Sequence, residues 1–124
     1  MIIGNFIKGI ELKNRNHYFS GICFNSSKCK KDNIFFAIKG TKINGNRFIN
    51  HAIEKGAKII ISNQKFEGIK KNILFIKSSN VRKSLSEFAY TIHKNKPKNI
   101  IAVTGTNGKS SVVDFYFQIL KLNK

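Results

Sequence analysis

The sequence predicts an α/β fold: a small mixed or parallel sheet flanked by helices, followed by the first β-loop-α unit of a second domain. Three observations carry this expectation. Short apolar runs of strand length alternate with segments whose apolar residues recur at helical spacing, the order that builds a sheet with helices packed on it. The single proline, in "KPK" (96–98), disfavours helix in the residue before it and interrupts the alternation. After it, "NIIAVTGTNGKSSVVDFYFQILKL" (99–122) reads as a new strand, a glycine loop and a helix. The expected division is therefore 1–97 and 98–124.

Taken in order, the first sixteen residues hold one short helix around "NFIKGIEL" (5–12), which Gly9 weakens. "HYFSGICF" (17–24) and "NIFFAIKG" (33–40) read as strands near 18–24 and 33–38, separated by the polar loop "NSSKCKKD". "RFINHAIEKGA" (47–57) sets Phe48, Ile49, Ala52 and Ile53 on one helical face, and Gly56 supplies the stop. "KIIISN" (58–63) and "NILFIKS" (72–78) are short buried strands. "NVRKSLSEFAYTIHKN" (80–95) is an amphipathic helix facing the core with Val81, Leu85, Phe88, Ala89 and Ile92, and Asn80 is placed to cap its N-terminus.

Composition narrows the partners. Twenty lysines and three arginines against six acids give a net charge of +17, which ordinarily points to nucleic acid or an anionic membrane. Here the lysines accompany twenty isoleucines and fifteen asparagines, all residues with AT-rich codons, and no basic block exceeds "KCKK" (28–31). Arginine, the better reader of bases and phosphates, is scarce. No nucleic acid or membrane partner is expected, whereas attraction for phosphorylated ligands is. No apolar stretch is long enough to span a bilayer and no leader opens the chain, so a cytoplasmic location is expected. Cys23 and Cys29 form C-x5-C, far from His17, His51 and His93, so no metal spacing arises. Cys23 is expected to be a buried small hydrophobe, Cys29 to be exposed and reduced, and His51 to be a surface residue at the start of a helix.

"VTGTNGKSSV" (103–112) carries the chemistry. Its pattern is G-x-x-G-K-S from Gly105 to Ser110, shorter than the full phosphate-loop signature because Val103 stands five residues before Gly108. An ordinary Gly-Asn turn would account for the turn residues but not for Gly-Lys-Ser-Ser opening a helix. Val112, Val113, Tyr116, Phe117, Ile119 and Leu120 follow at roughly helical spacing. Backbone N–H groups at a helix N-terminus favour an anion. Gly105, Thr106, Asn107, Gly108, Lys109, Ser110 and Ser111 are thus the candidate ATP site. Lys109 would reach the β- and γ-phosphates as the catalytic cation, and the Ser110 hydroxyl would take a position on Mg²⁺.

Two separated motifs converge on one family. "VTGTNGKSS" closely resembles the ATP loop of the Mur ligases, and "FNSSKCKKDNIFFAIKGTKINGNRFINHAIEKGAKIII" resembles their first domain. That domain typically reads D-S-R, a spacer, G-D-x-F-x-A-x-x-G, then D-G and a helix ending in G-A. The matches here are Ser26, Phe35, Ala37, Gly40, Gly45, Phe48, Ala52, Gly56 and Ala57, in order, and the resemblance covers most of residues 18–124. It implies a UDP-sugar-binding domain over 1–97 and the start of a truncated ATP-binding domain over 98–124. It also implies ATP-dependent amide formation through an acyl phosphate in peptidoglycan synthesis.

Within the family the chain is most similar to the branch that adds meso-diaminopimelate or L-lysine to UDP-MurNAc-L-Ala-D-Glu. The branch that adds D-Ala-D-Ala, or a non-catalytic nucleotide-binding module, are the alternatives. By the resemblance, Phe24 and Ser26 contact the uridine, while Thr41, Lys42 and Ile43 form the loop beside uracil and diphosphate. Asn25, Ser27, Asp32-Asn33 and Asn44 depart from the family's aspartate, arginine, Gly-Asp and aspartate. The family's modified lysine, metal ligands and amino-acid-selecting domain would lie beyond Lys124. The chain alone is accordingly expected to be inactive, and the full-length enzyme to be monomeric.

Overall fold

In the computed structural model the chain divides into two units, Met1–Lys94 and Asn95–Lys124. Residues 1–7, 11–93, 95 and 97–123 are described. In the first unit β1 (Gly21–Cys23), β2 (Asn33–Phe36), β3 (Ile59–Ser62) and β5 (Ile73–Lys77) run parallel, and β4 (Gly68–Lys70) closes the sheet antiparallel to β5. The order across the sheet is β1-β2-β3-β5-β4. Among the described residues two α-helices complete the unit, α1 (Ile49–Glu54) and α2 (Val81–Ile92).

Parallel strands covered on both faces need apolar side chains on both, and β2 and β3 are buried at every position. Alternation sorts those side chains into two layers. Ile34, Phe36, Ile59, Ile61, Leu74 and Ile76 pack on one face with Val81 and Phe88 of α2 and with Ile3 and Phe19. Phe35, Ala37, Ile60 and Ile73 pack on the other with Ile49 and Ala52 of α1 and with both cysteines. Phe88 meets Phe36 edge-on at a ring separation of 5.3 Å and stacks on Phe6 at 5.3 Å, which fixes α2 against the sheet. The helix begins where expected, because the Asn80 Oδ1 accepts the Lys83 N–H at 3.0 Å.

Several elements differ from the sequence reading. Of residues 17–24 only Gly21–Cys23 form a strand, and Tyr18 makes an isolated antiparallel bridge to Ile2. The helix expected over 5–12 falls partly on residues 8–10, outside the described residues; around them Ile3–Asn5 and Leu12–Asn14 are 3-10 turns. α1 is shorter than expected, because its first turn is a separate 3-10 segment, Gly45–Phe48. β4 was not anticipated. It exists because Lys71 and Asn72, at φ 50° and 61°, form a two-residue turn whose twist suits a hairpin.

In the second unit α3 (Lys109–Leu122) is present, but the strand expected over 99–105 is not. A strand is defined by its pairing, and among the described residues no strand lies beside this segment; Ile100 and Ile101 are exposed. No residue of α3 is buried.

Cys29 also differs from expectation. It is buried and disulfide-bonded to Cys23, with the two Cα atoms 5.8 Å apart. The 3-10 turn Ser26–Lys28 returns the chain beneath α1, so a residue flanked by lysines still reaches the interior.

Two predictions concern this framework. A Cβ on Gly45 would lie 2.5 Å from the Ile38 carbonyl oxygen and 2.7 Å from the Ile38 nitrogen, both backbone atoms that cannot swing aside. Gly45→Ala should lower stability in urea unfolding by about 1–3 kcal/mol, whereas Lys70→Ala should stay within about 0.5 kcal/mol. Second, thiol titration of the denatured chain without reductant should find no free thiol, and reduction should remove about 2 kcal/mol of stability, as closure of a loop this short implies. Two titratable thiols in the oxidised sample would refute the bridge.

Candidate functional site

The carboxyl ends of β1, β2, β3 and β5 lie along one edge of the sheet, because those strands are parallel. Ligands of open α/β sheets bind in the crevice outside such ends. Two adjoining clefts occupy that position. One, of about 450 Å³, is lined by Phe24, Ile43, Phe48 and Leu85 together with Gly40 and Gly45. The other, of about 370 Å³, carries Lys39, Asn63, Ser79 and Asn80. Ile38 and Arg82 line both. Each volume suits part or all of a small molecule.

Of the residues expected to hold a nucleotide sugar, Phe24 and Ile43 are brought together in the larger cleft, with 67% and 59% of their surface exposed. Thr41 and Lys42 are exposed at the tip of the loop that carries Ile43. That loop is pinned at its base. Lys39 pairs with Asn44, the Gly40 N–H donates to the Ile43 carbonyl at 2.9 Å, and the Gly45 N–H donates to the Ile38 carbonyl at 2.9 Å.

Ser26 lines neither cleft. It is buried, and its Oγ lies 3.0 Å from the Nδ1 of His51. His51 is therefore half-buried and engaged, not the free surface residue expected from its place at the head of a helix.

The two asparagines that replace family aspartates keep the job of an acceptor. The Asn25 Oδ1 accepts the Ser27 N–H at 3.0 Å and the Asn44 Oδ1 accepts the Asn46 N–H at 3.1 Å, each capping a 3-10 turn. One oxygen suffices for that, so an amide replaces a carboxylate without changing the turn.

Arg82, Phe48, Asn63 and His51 were missed. A signal existed for Arg82: it sits in the first turn of α2, where the helix dipole disfavours a cation and where no acidic residue stands. Nothing in the sequence marks Asn63, which reaches the cleft only through the order of the strands.

In the second unit Gly108 adopts φ 75° and caps α3, and Gly105 sits at φ 151°. Such backbone is open to glycine and strained for other residues. The Val112 N–H donates to the Gly108 carbonyl at 3.0 Å, so the preceding N–H groups of Lys109, Ser110 and Ser111 have no helical partner. The Lys109 Nζ donates to the carbonyls of Gly105 and, at 3.2 Å, of Thr106, which holds the loop closed upon its own lysine. Thr106 and Asn107 are exposed within that loop.

Residues 18–103 match the family model described as "Mur ligase family, catalytic domain". A UDP-N-acetylmuramoyl-L-alanyl-D-glutamate--2,6-diaminopimelate ligase of Rickettsia prowazekii (strain Madrid E) is 42% identical over 110 residues, which are 89% of this chain and 22% of that protein. A ligase of the same name from Clostridium tetani (strain Massachusetts / E88) is 46% identical over 95 residues, 73% of this chain and 19% of that one. A crystal structure of MurF from Acinetobacter baumannii aligns with 54% of this chain and 14% of its own, at 19% identity and a TM-score of 0.47. The chain thus spans about a fifth of the length of the curated ligases it matches. Since the family model covers residues 18–103, well over half of the sequence, the chain belongs to the Mur ligase family.

Proposed function

We propose that this chain supplies the nucleotide-sugar-binding domain, over residues 1–97, and the ATP loop of a ligase that adds 2,6-diaminopimelate to UDP-MurNAc-L-Ala-D-Glu in peptidoglycan synthesis. The observation that carries the reading is the cleft at the carboxyl edge of the sheet, where Phe24 and Ile43 form apolar walls, in a chain 42% identical to a ligase of that name. A flat, weakly polar base suits those walls. Thr41 and Lys42 stand at the rim of the same loop, where an ammonium serves a diphosphate. Ser26 lines neither cleft; bonded to His51, it acts indirectly by bracing the turn that follows Phe24.

The glycine loop fits the phosphates of ATP. Its unpartnered N–H groups at Lys109, Ser110 and Ser111 offer an anion site, the Lys109 ammonium adds charge, and the Ser110 hydroxyl is an oxygen ligand suited to Mg²⁺. ATP supplies the phosphoryl group that activates a substrate carboxylate toward an amine. The residues of this chain contribute binding and charge stabilisation to that step.

Calorimetry on the 124-residue chain tests the reading. UDP-MurNAc-L-Ala-D-Glu should bind, more tightly than ATP, and Phe24→Ala and Ser26→Ala should each weaken it; failure of the unsubstituted chain to bind would refute the assignment. In the full-length enzyme Lys109→Ala should reduce turnover about a hundredfold or more, since a positioned charge at such a site is commonly worth about 3 kcal/mol. Lys70→Ala removes the same charge from an exposed strand and should leave turnover unchanged. Equal loss in both variants would assign the effect to bulk basicity.

A further inference from the structure

Cys23 and Cys29 are the chain's only cysteines, and they are bonded to each other. Inside the loop they close stand Phe24, the exposed aromatic of the larger cleft, and Ser26, the partner of His51. The two sulfurs are held differently. Cys23 is the last residue of β1 and is paired in register with Phe35, so its place belongs to the sheet. Cys29 follows the 3-10 turn Ser26–Lys28, whose backbone bonds are its own: the Lys28 N–H donates to the Asn25 carbonyl at 3.0 Å and the Cys29 N–H to the Ser26 carbonyl at 3.2 Å. Such a turn can shift as a piece while its internal bonds stay made. The bridge is also within reach of a reductant. Both cysteines keep 7% of their surface exposed, and Lys28, Lys30 and Lys31 beside Cys29 are exposed and attract an anionic thiol. ATP-consuming enzymes work among small thiols, where disulfides are transient and sensing more often than permanent.

We propose that the Cys23–Cys29 pair is a reversible redox switch on the larger cleft, which it holds in shape when bridged and slackens when reduced. This rests on the nucleotide-sugar reading above and adds regulation to it. The step is thiol–disulfide exchange with a low-molecular-weight thiol of the glutathione class. One small thiolate attacks a bridge sulfur, forms a mixed disulfide and releases the other cysteine. A second small thiolate displaces the first, so two small thiols become one small disulfide, two electrons pass to the bridge, and the two protons given up end on the cysteine sulfurs. Two thiols take more room than one disulfide, and the layer around them is packed, with Ala37, Ala52 and Ala57 fully buried. The sheet holds Cys23, so the turn before Cys29 yields and moves outward. Phe24 must then lose, on meeting a ligand, the freedom that the bridge had already removed, and affinity falls. Linkage makes the relation reciprocal: a ligand that prefers the bridged form protects the bridge by the same factor.

Calorimetry with UDP-MurNAc-L-Ala-D-Glu compares the oxidised 124-residue chain with the same chain reduced by a phosphine. Reduction should weaken binding about fivefold or more. The chain is also equilibrated in glutathione buffers of graded ratio, and its free thiols are counted by alkylation and mass. Saturating ligand should raise, by that same factor, the ratio of squared glutathione to glutathione disulfide concentration at which half the chain is reduced. The double variant Cys23→Ala, Cys29→Ala should bind equally with and without phosphine. Equal affinity of the oxidised and reduced chains, with an unmoved glutathione midpoint, would overturn the switch and leave the nucleotide-sugar reading standing. A phosphine effect that persists in the double variant would overturn it too. Were that variant not to fold, the glutathione midpoint of the unsubstituted chain decides alone. Failure of the oxidised and reduced chains alike to bind would overturn the nucleotide-sugar reading and the switch together.

Discussion

Parallel strands cannot be joined by tight turns, so the chain must cross a face of the sheet between β1 and β2 and between β2 and β3, whereas after β3 the antiparallel β4 carries it back to the start of β5. The hairpin from β4 to β5 is short, and it joins the antiparallel pair. This constraint governs the rest of the first unit. The crossing segments with α1 cover one face, and α2 with Ile3 and Phe19 covers the other, which obliges β2 and β3 to be apolar on both sides and produces the runs "NIFF" and "IIIS". It also gathers the carboxyl ends of four strands on one edge, where backbone N–H and C=O groups and loop side chains are no longer committed to the sheet. The clefts are a by-product of that geometry before they are sites.

Two short loops give the edge its shape, and both depend on close backbone contacts more than on side-chain burial. The loop after β1 is bracketed by the Cys23–Cys29 bridge and turned by Asn25, so Phe24 can stay largely exposed while the chain on each side of it is fixed. The loop after β2 is tied at its base by two backbone hydrogen bonds, and the approach of Gly45 to Ile38 leaves no room for a side chain. An exposed aromatic on a constrained loop loses less freedom on contact with a ligand than one on a mobile segment. The disulfide and the glycine thus act on the cleft through entropy.

What the sequence discloses follows from which interactions are local. β2, β3, β5 and α2 are legible because alternation and helical spacing record burial directly, and the Asn80 cap is a bond between residues three apart. The cleft residues Phe24 and Ile43 were reached through a motif, since no local pattern marks an exposed apolar side chain. The rest is relational. β4 needed Lys71 and Asn72 to accept positive φ, a tolerance that neither residue type advertises as glycine does. The segment 99–105 has strand composition, yet composition cannot supply a neighbour to pair with. Cys29 reads as polar from its lysine neighbours and is buried by a turn that only the fold reveals. Asn63 and Arg82 meet because β3 lies beside β5 in the sheet, a fact absent from their spacing in the chain.

The strongly basic composition then takes on a limited role. Twenty lysines scattered along the chain attract every phosphorylated solute alike, and at physiological salt that attraction fades within about 8 Å. Such a field raises the local concentration of anions without choosing among them. Choice requires donors whose positions are fixed before the ligand arrives, and the smaller cleft has these because its asparagine carbonyls are already bonded within the fold. One of only three arginines in the chain stands at its junction with the apolar cleft. The lysines bring anions to the protein in general, whereas the cleft lined by Lys39, Asn63, Ser79 and Asn80 sets its polar groups at fixed positions beside an apolar neighbour.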